Sequence, residues 1–347
     1  MPLATKLLYK EVGPMRLARP CFLPPLAPAC RHFFNGGHGM GPSNIAHQIS
    51  PNTLLLPYAV ALVEASQLPR PLADNPVINL LNDLYFRPAR LAVRAQQLPT
   101  SLVRRMSDTH SAILASATDF AALALERISL DRNGATSTCL PLSPSEIFRF
   151  CRAFYRVELF YTLFRGRAFT DDANRWFFWR QPPWENEQLG LLANRNINAV
   201  DKDEQDFLDE PFKLCWLAQG VEFVSKLTNA PSWEDQQNIL NTGLEASVLD
   251  KVNVELPEIL GYVYFGDGIS QDFEEACDRV GLHEFGHPSD EDTDLGPYKA
   301  WRTENVGSGM PESFIPGLKT WLRDRAYVLW DSDRVGKIGR FKDGDEQ

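Results

Sequence analysis

A chain of 347 residues, 44% hydrophobic and 23% charged, has ordinary globular composition and enough length to bury a sizeable core. Its 35 basic against 45 acidic residues leave a net charge of −10. That balance disfavours a phosphate-gripping nucleic-acid groove and, with a pI near 5.2, a polybasic membrane contact.

Residues 1–52 are rich in proline and glycine and predict an irregular, flexible segment. Its stretch NGGHGMGPSN (Asn35 to Asn44) lacks both the G-K-[ST] of a P-loop and a G-x-G-x-x-G fingerprint, so it reads as a loop rather than a phosphate cradle. Lys6, Lys10, Arg16, Arg19 and Arg31 against the single acid Glu11 somewhat resemble a mitochondrial presequence. The prolines at 14, 20, 24, 25 and 28 interrupt any amphipathic helix there, so cytoplasm or nucleus is the expected compartment and import the alternative. Six cysteines lie scattered without a C-x-x-C pair, which suits reduced, buried thiols in an intracellular protein. No apolar run reaches the roughly 18 to 20 residues of a bilayer span.

From Thr53 onward the pattern is helical. Pro76 to Phe86 places apolar residues at 77, 80, 81 and 84, one helical face, and Pro88 kinks or restarts the helix. Ser101 to Ile128 repeats apolar residues at 102, 106, 113, 117, 120, 121, 124 and 128, a long helix with one buried stripe. A linker-like stretch covers residues 130–143 and marks a possible sub-boundary. Ser143-Pro144-Ser145-Glu146 then supplies a capping box for a helix through Phe164 that is apolar on nearly all sides, and so central. Further helix starts are expected near Pro183, Ser232, Pro257 and Ser270, and a closing helix over Ser313 to Asp331. With no β-α-β alternation, the expected fold class is all-α. It is an irregular multi-helix bundle of one helical domain, residues 53–340, with a polar tail at 341–347.

One motif carries chemistry. His283-Glu284-Phe285-Gly286-His287 matches H-E-x-x-H, in which two histidines on one helical face bind zinc and the glutamate activates the metal-bound water. Pro288 follows the second histidine and opposes helical geometry there, glycines flank and interrupt the motif, and no third ligand has a supporting pattern. The segment therefore reads as a frayed helix end. A zinc peptidase using His283 and His287 as ligands and Glu284 as base remains the alternative. Asp290, Asp292 and Asp294 match the first calcium-loop ligands, but Leu295 stands where glycine is needed and Trp301 where glutamate is needed.

Two clusters suit contact or structure. Arg149, Arg152 and Arg156 recur at spacings of three and four along the central helix, where burial demands partners such as Glu158, Glu185 or Glu187. Trp176, Trp179 and Trp184 are a core aromatic cluster or, less simply, a ligand platform beside Glu185.

The stretches RAFYRVELFYTLF (Arg152 to Phe164), PPWENEQL (Pro182 to Leu189) and LRDRAYVLWDSDRV (Leu322 to Val335) resemble a group of helical proteins from filamentous fungi. That group's pattern runs R-x-x-Y-R-x-E-x-x-x-x-L-F, P-W-E-x-E-[QE]-[LI] and R-D-x-[GA]-Y-V-x-W-D, and H-E-x-x-H is not part of it. The resemblance implies an α-helical intracellular fold and supplies no activity. The expected function is therefore non-enzymatic protein–protein contact, with no cofactor and no nucleic acid; zinc peptidase activity is the alternative.

Overall fold

The structure, a computed structural model, describes residues 54–130, 141–164, 184–189, 220–228, 294–305 and 325–338, with positions 177, 230, 232, 234, 235, 238, 239 and 322. Among them the elements are α1 (Leu56–Gln67), α2 (Asp74–Phe86), α3 (Pro88–Ala95), α4 (Thr100–Leu130), α5 (Pro144–Phe164), α6 (Val221–Thr228), α7 (Gly296–Asn305) and α8 (Ser332–Ile338). No strand occurs among the described residues, and the fold is all-α. None of the described helices is long and apolar enough to cross a membrane.

Two helices that are apolar almost all round form the axis. α1 buries nine of its twelve residues, including Tyr58, Val60 and Leu62, and touches α2, α3, α4 and α5. α5 buries all but five of its 21 residues. A helix buried on nearly every side is stable only when neighbours surround it, which is why both run through the core.

α4 is the longest element, 31 residues or about 46 Å. Its core face carries Met106, Ile113, Ala117, Phe120, Ala121, Ala124 and Ile128, all buried and spaced for one side of a helix, as the sequence pattern predicts, and also Val103, which that pattern does not name. Leu102, expected in that stripe, packs against it half-buried. The restart at Pro88 also holds: α2 ends at Phe86 with Arg87 as its C-cap, and Pro88 opens α3, where a missing N–H removes no helical bond. Rings from three segments close the core, with Phe120 edge-on to Phe150 at 5.8 Å and Phe150 to Trp330 at 5.2 Å.

The C-terminal part departs from expectation. Residues 325–330 form turns rather than the end of a continuous helix, and Ala326 adopts φ 50°. The reason is that their polar groups are engaged outside any helical ladder. The Arg325 carbonyl accepts from Trp330 Nε1 at 2.7 Å, the Val328 carbonyl from Gln188 and the Leu329 carbonyl from Arg149. α7 packs on α8 through Gly296, where a Cβ would collide with the Trp330 carbonyl and the Ser332 amide. Residues 1–53, 131–140 and 339–347 lie outside the described residues, as do Pro257, Ser270 and the segment His283 to His287.

Candidate functional site

The polar groups that the sequence singles out converge on α5. Arg149, Arg152 and Arg156 point one after another into the protein and are fully or almost fully buried. Arg149 donates from Nη1 to the Leu329 carbonyl at 2.8 Å and from Nη2 to Asp331 Oδ1 at 2.6 Å. Arg152 pairs with Glu185 Oε1 at 3.2 Å, reaches Gln188 Oε1 at 3.5 Å and lies over the Phe148 ring. Arg156 donates to the Glu185 carbonyl and to Asn186 Oδ1, both at 2.8 Å, and lies over Phe177. A buried guanidinium is tolerated only when its donors are used and its charge is answered. Here the chain's own segments at 185–188 and 328–331 supply acceptors to all three arginines and carboxylates to Arg149 and Arg152, while Nε of Arg152 and of Arg156 has no hydrogen-bond partner among the described residues; the ladder fastens those segments to α5.

The same helix is tied at its start. Ser143 and Glu146 form the reciprocal capping box, with Glu146 N–H to Ser143 Oγ at 3.0 Å and Ser143 N–H to Glu146 Oε2 at 2.9 Å. The Glu146 carboxylate also receives Arg334 Nε at 2.6 Å, Arg334 Nη2 at 2.7 Å and the Asp331 amide at 3.1 Å. Asp294 sits beside this node. Burial works against its charge, but the amides of Gly296 and Ser332, the Ser332 hydroxyl and nearby Arg149 outweigh it and hold the carboxyl below its usual range.

A second polar seam joins α4, α5 and α6. His110 Nδ1 lies 2.9 Å from the Tyr155 hydroxyl, and the rings stack. Burial lowers the His110 pKa to about 4 and raises that of the neighbouring Cys151 thiol to about 12, so both are neutral near pH 7. Glu158 accepts a hydrogen bond from the Val221 amide at the start of α6, and Thr109 donates to Glu222 at 2.5 Å. Glu158 as a residue keeps some surface, yet its carboxyl is enclosed. Desolvation, joined by the Glu222 charge and opposed by the Val221 amide, pushes it up to about 8. Gly220, at φ 99°, leaves only 3.1 Å between a would-be Cβ and Glu158 Oε2.

The structure thus brings Arg149, Arg152, Arg156, Trp184 and Glu185 together. Trp184 is core, against Tyr298 and Trp301. Trp176, Trp179, His283, Glu284 and His287 lie outside the described residues. Among the described residues no group of three metal-ligating side chains occurs.

One surface escapes the sequence reading above. From Phe86 to Arg105 the chain has five arginines and no acid. Asp83, at the end of α2, holds Arg87 at 3.0 Å and Arg94 at 2.7 Å, with Arg90 more loosely at 3.8 Å; Glu64 on α1 receives Arg94 through two oxygens. Phe86 and Val93, each 56% exposed, stand at this corner. A local charge count over twenty residues would have found it; the net charge of the whole chain conceals it.

Comparison of the chain with protein-family models, curated proteins and solved structures finds no match.

Proposed function

We propose that this is a non-enzymatic helical protein that acts through contact with another protein. The observation that carries the reading is the α2–α3 corner, where Phe86 and Val93 remain 56% exposed on well-formed helices; among the described residues the next most exposed large apolar side chain is Leu123, at 36%. Apolar side chains held outward among arginines are a usual composition of contact surfaces. The arginine ladder supports the same reading, because its charges serve the chain's own segments rather than an open cleft.

A photo-crosslinking amino acid at Val93, with a matched one at exposed Asp108 on α4, tests it in extract of the native cells. A discrete protein adduct at 93 and not at 108 is expected. The competing reading, zinc peptidase chemistry at His283, Glu284 and His287, is tested on the same purified chain. Stoichiometric zinc lost on His283→Ala, together with peptide cleavage lost on Glu284→Gln, would overturn the non-enzymatic proposal.

A further inference from the structure

The α2–α3 corner has a composition that selects its partner. α3 turns Leu91 and Ala95 into the core. At 100° per residue the opposite direction is occupied by Val93, with Ala89 and Arg90 on either side. Both flanking residues are exposed, and the Arg90 side chain is 61% exposed.

The charge around this face is unbalanced. Among the described residues, Asp83 and Glu64 are the acids that hold it, against Arg87, Arg90 and Arg94. Arg90 Nη1, 3.8 Å from Asp83 Oδ1, is beyond hydrogen-bond range. Arg105 is also exposed, and its Nη1 donates to Ser66 Oγ on α1. Exposed Arg104 adjoins it.

Building on the proposed role in protein contact, we infer that this corner docks a short acidic segment of another protein, with an apolar side chain of that segment on Val93 and its carboxylates on Arg87 and Arg90. Guanidinium groups pair with carboxylates in a planar, two-pronged fashion, and Val93 offers an apolar seat beside Arg90, on the side away from Arg87. A short segment fits better than an extended polyanion. An extended nucleic acid or anionic membrane would lie along much of a chain whose net charge is −10, whereas a short peptide engages this basic corner alone. The face of one two-turn helix is small, so the affinity is modest and falls with added salt.

Fluorescence anisotropy on the full chain tests this. The probe is a fluorescein-labelled ten-residue peptide of aspartate and glutamate with one central leucine and one phenylalanine. Saturable binding is expected, weakened about tenfold by Arg90→Glu and by Val93→Asp and only about threefold by Arg90→Lys. Lys226→Glu on α6, the same charge change on another exposed residue, leaves binding within about twofold. Replacing leucine and phenylalanine of the probe by serine weakens it about fivefold or more. Circular dichroism and melting temperature confirm that each variant is folded. The inference is overturned if the probe does not saturate, if Lys226→Glu matches Arg90→Glu, or if a thymidine oligonucleotide or phosphatidylserine vesicles bind more tightly through Arg90. Failure with a zinc-free, non-cleaving chain removes the acidic-segment inference, while the broader proposal stands or falls on the crosslink at Val93. Zinc-dependent cleavage removes the broader proposal whatever the probe does.

Discussion

The Glu146 carboxylate receives Arg334 through both of its oxygens, at 2.6 and 2.7 Å, across 188 residues of sequence. It is therefore at once the capping residue of α5 and the anchor of α8. Both side chains are nearly buried, so removing either one strands a charge. Arg334→Met is expected to cost about 3–5 kcal/mol, and Glu146→Gln somewhat less because the amide still caps the Ser143 amide. The double variant is expected to lose clearly less than the two single losses added together. Urea unfolding of the four proteins measures the coupling; strict additivity would show that the pair contributes nothing as a pair.

Arg149 spends one nitrogen on a carbonyl and another on a carboxylate, a fork that lysine cannot reproduce. Arg149→Lys keeps the charge near Asp331 but leaves the Leu329 carbonyl, buried in the 325–330 turns, without its donor. The expected loss is about 1–3 kcal/mol. Proteolysis near residue 329 should accelerate in parallel, because the turn is held from outside. Wild-type stability in this variant would mean that charge alone holds the turn.

His110 supplies an acid-side dependence. Its folded pKa of about 4 lies below the ordinary 6.5, so between those values the unfolded chain binds more protons than the folded one. Its contribution is complete above about pH 6.5 and is lost as pH falls toward 4, by about 3 kcal/mol in all. His110→Gln keeps a hydrogen-bonding partner for Tyr155 without titrating. The difference in unfolding free energy between wild type and variant should rise with pH across that window; a flat difference would refute the assignment.

Glu158 acts in the opposite direction. Its folded pKa of about 8 lies above the ordinary 4.5, so the folded chain binds the extra proton between these values. Its favourable contribution is complete below about pH 4.5 and declines as pH rises through 8. Glu158→Gln retains an acceptor for the Val221 amide and removes the titrating group beside Glu222. The variant should gain on wild type steadily from pH 5 to 8, read as urea midpoints. Loss of stability at pH 8 would show that the carboxylate itself is favourable there.

Much of the helical frame was legible because its signals are local. Ser143 and Glu146 are three residues apart and cap as their spacing predicts. The α4 stripe from Met106 to Ile128 repeats with the helical period, and Pro88 opens a helix. What was not legible depends on distance in sequence. Nothing near Arg149 names Leu329 and Asp331, and nothing near Val328 says that its carbonyl will serve Gln188, so residues 325–330 read as helix. Of the three candidate partners of the ladder, Glu185 pairs with Arg152, while Glu158 caps α6 from the same helix. The basic corner at Arg87, Arg90 and Arg94 was overlooked for a different reason: the surplus of acids elsewhere cancels it in any whole-chain sum.

The ladder also has a consequence for how the chain is made. Arg149 meets its acceptors 180 and 182 residues later in the sequence. At about 5–20 residues per second a ribosome needs roughly ten to forty seconds to deliver them. Throughout that interval the nascent helix carries a cation that water must keep solvating, so its apolar sides stay open to whatever binds unfinished chains. Final closure of the core is thus deferred to the last part of translation, and a chaperone has that long to intervene.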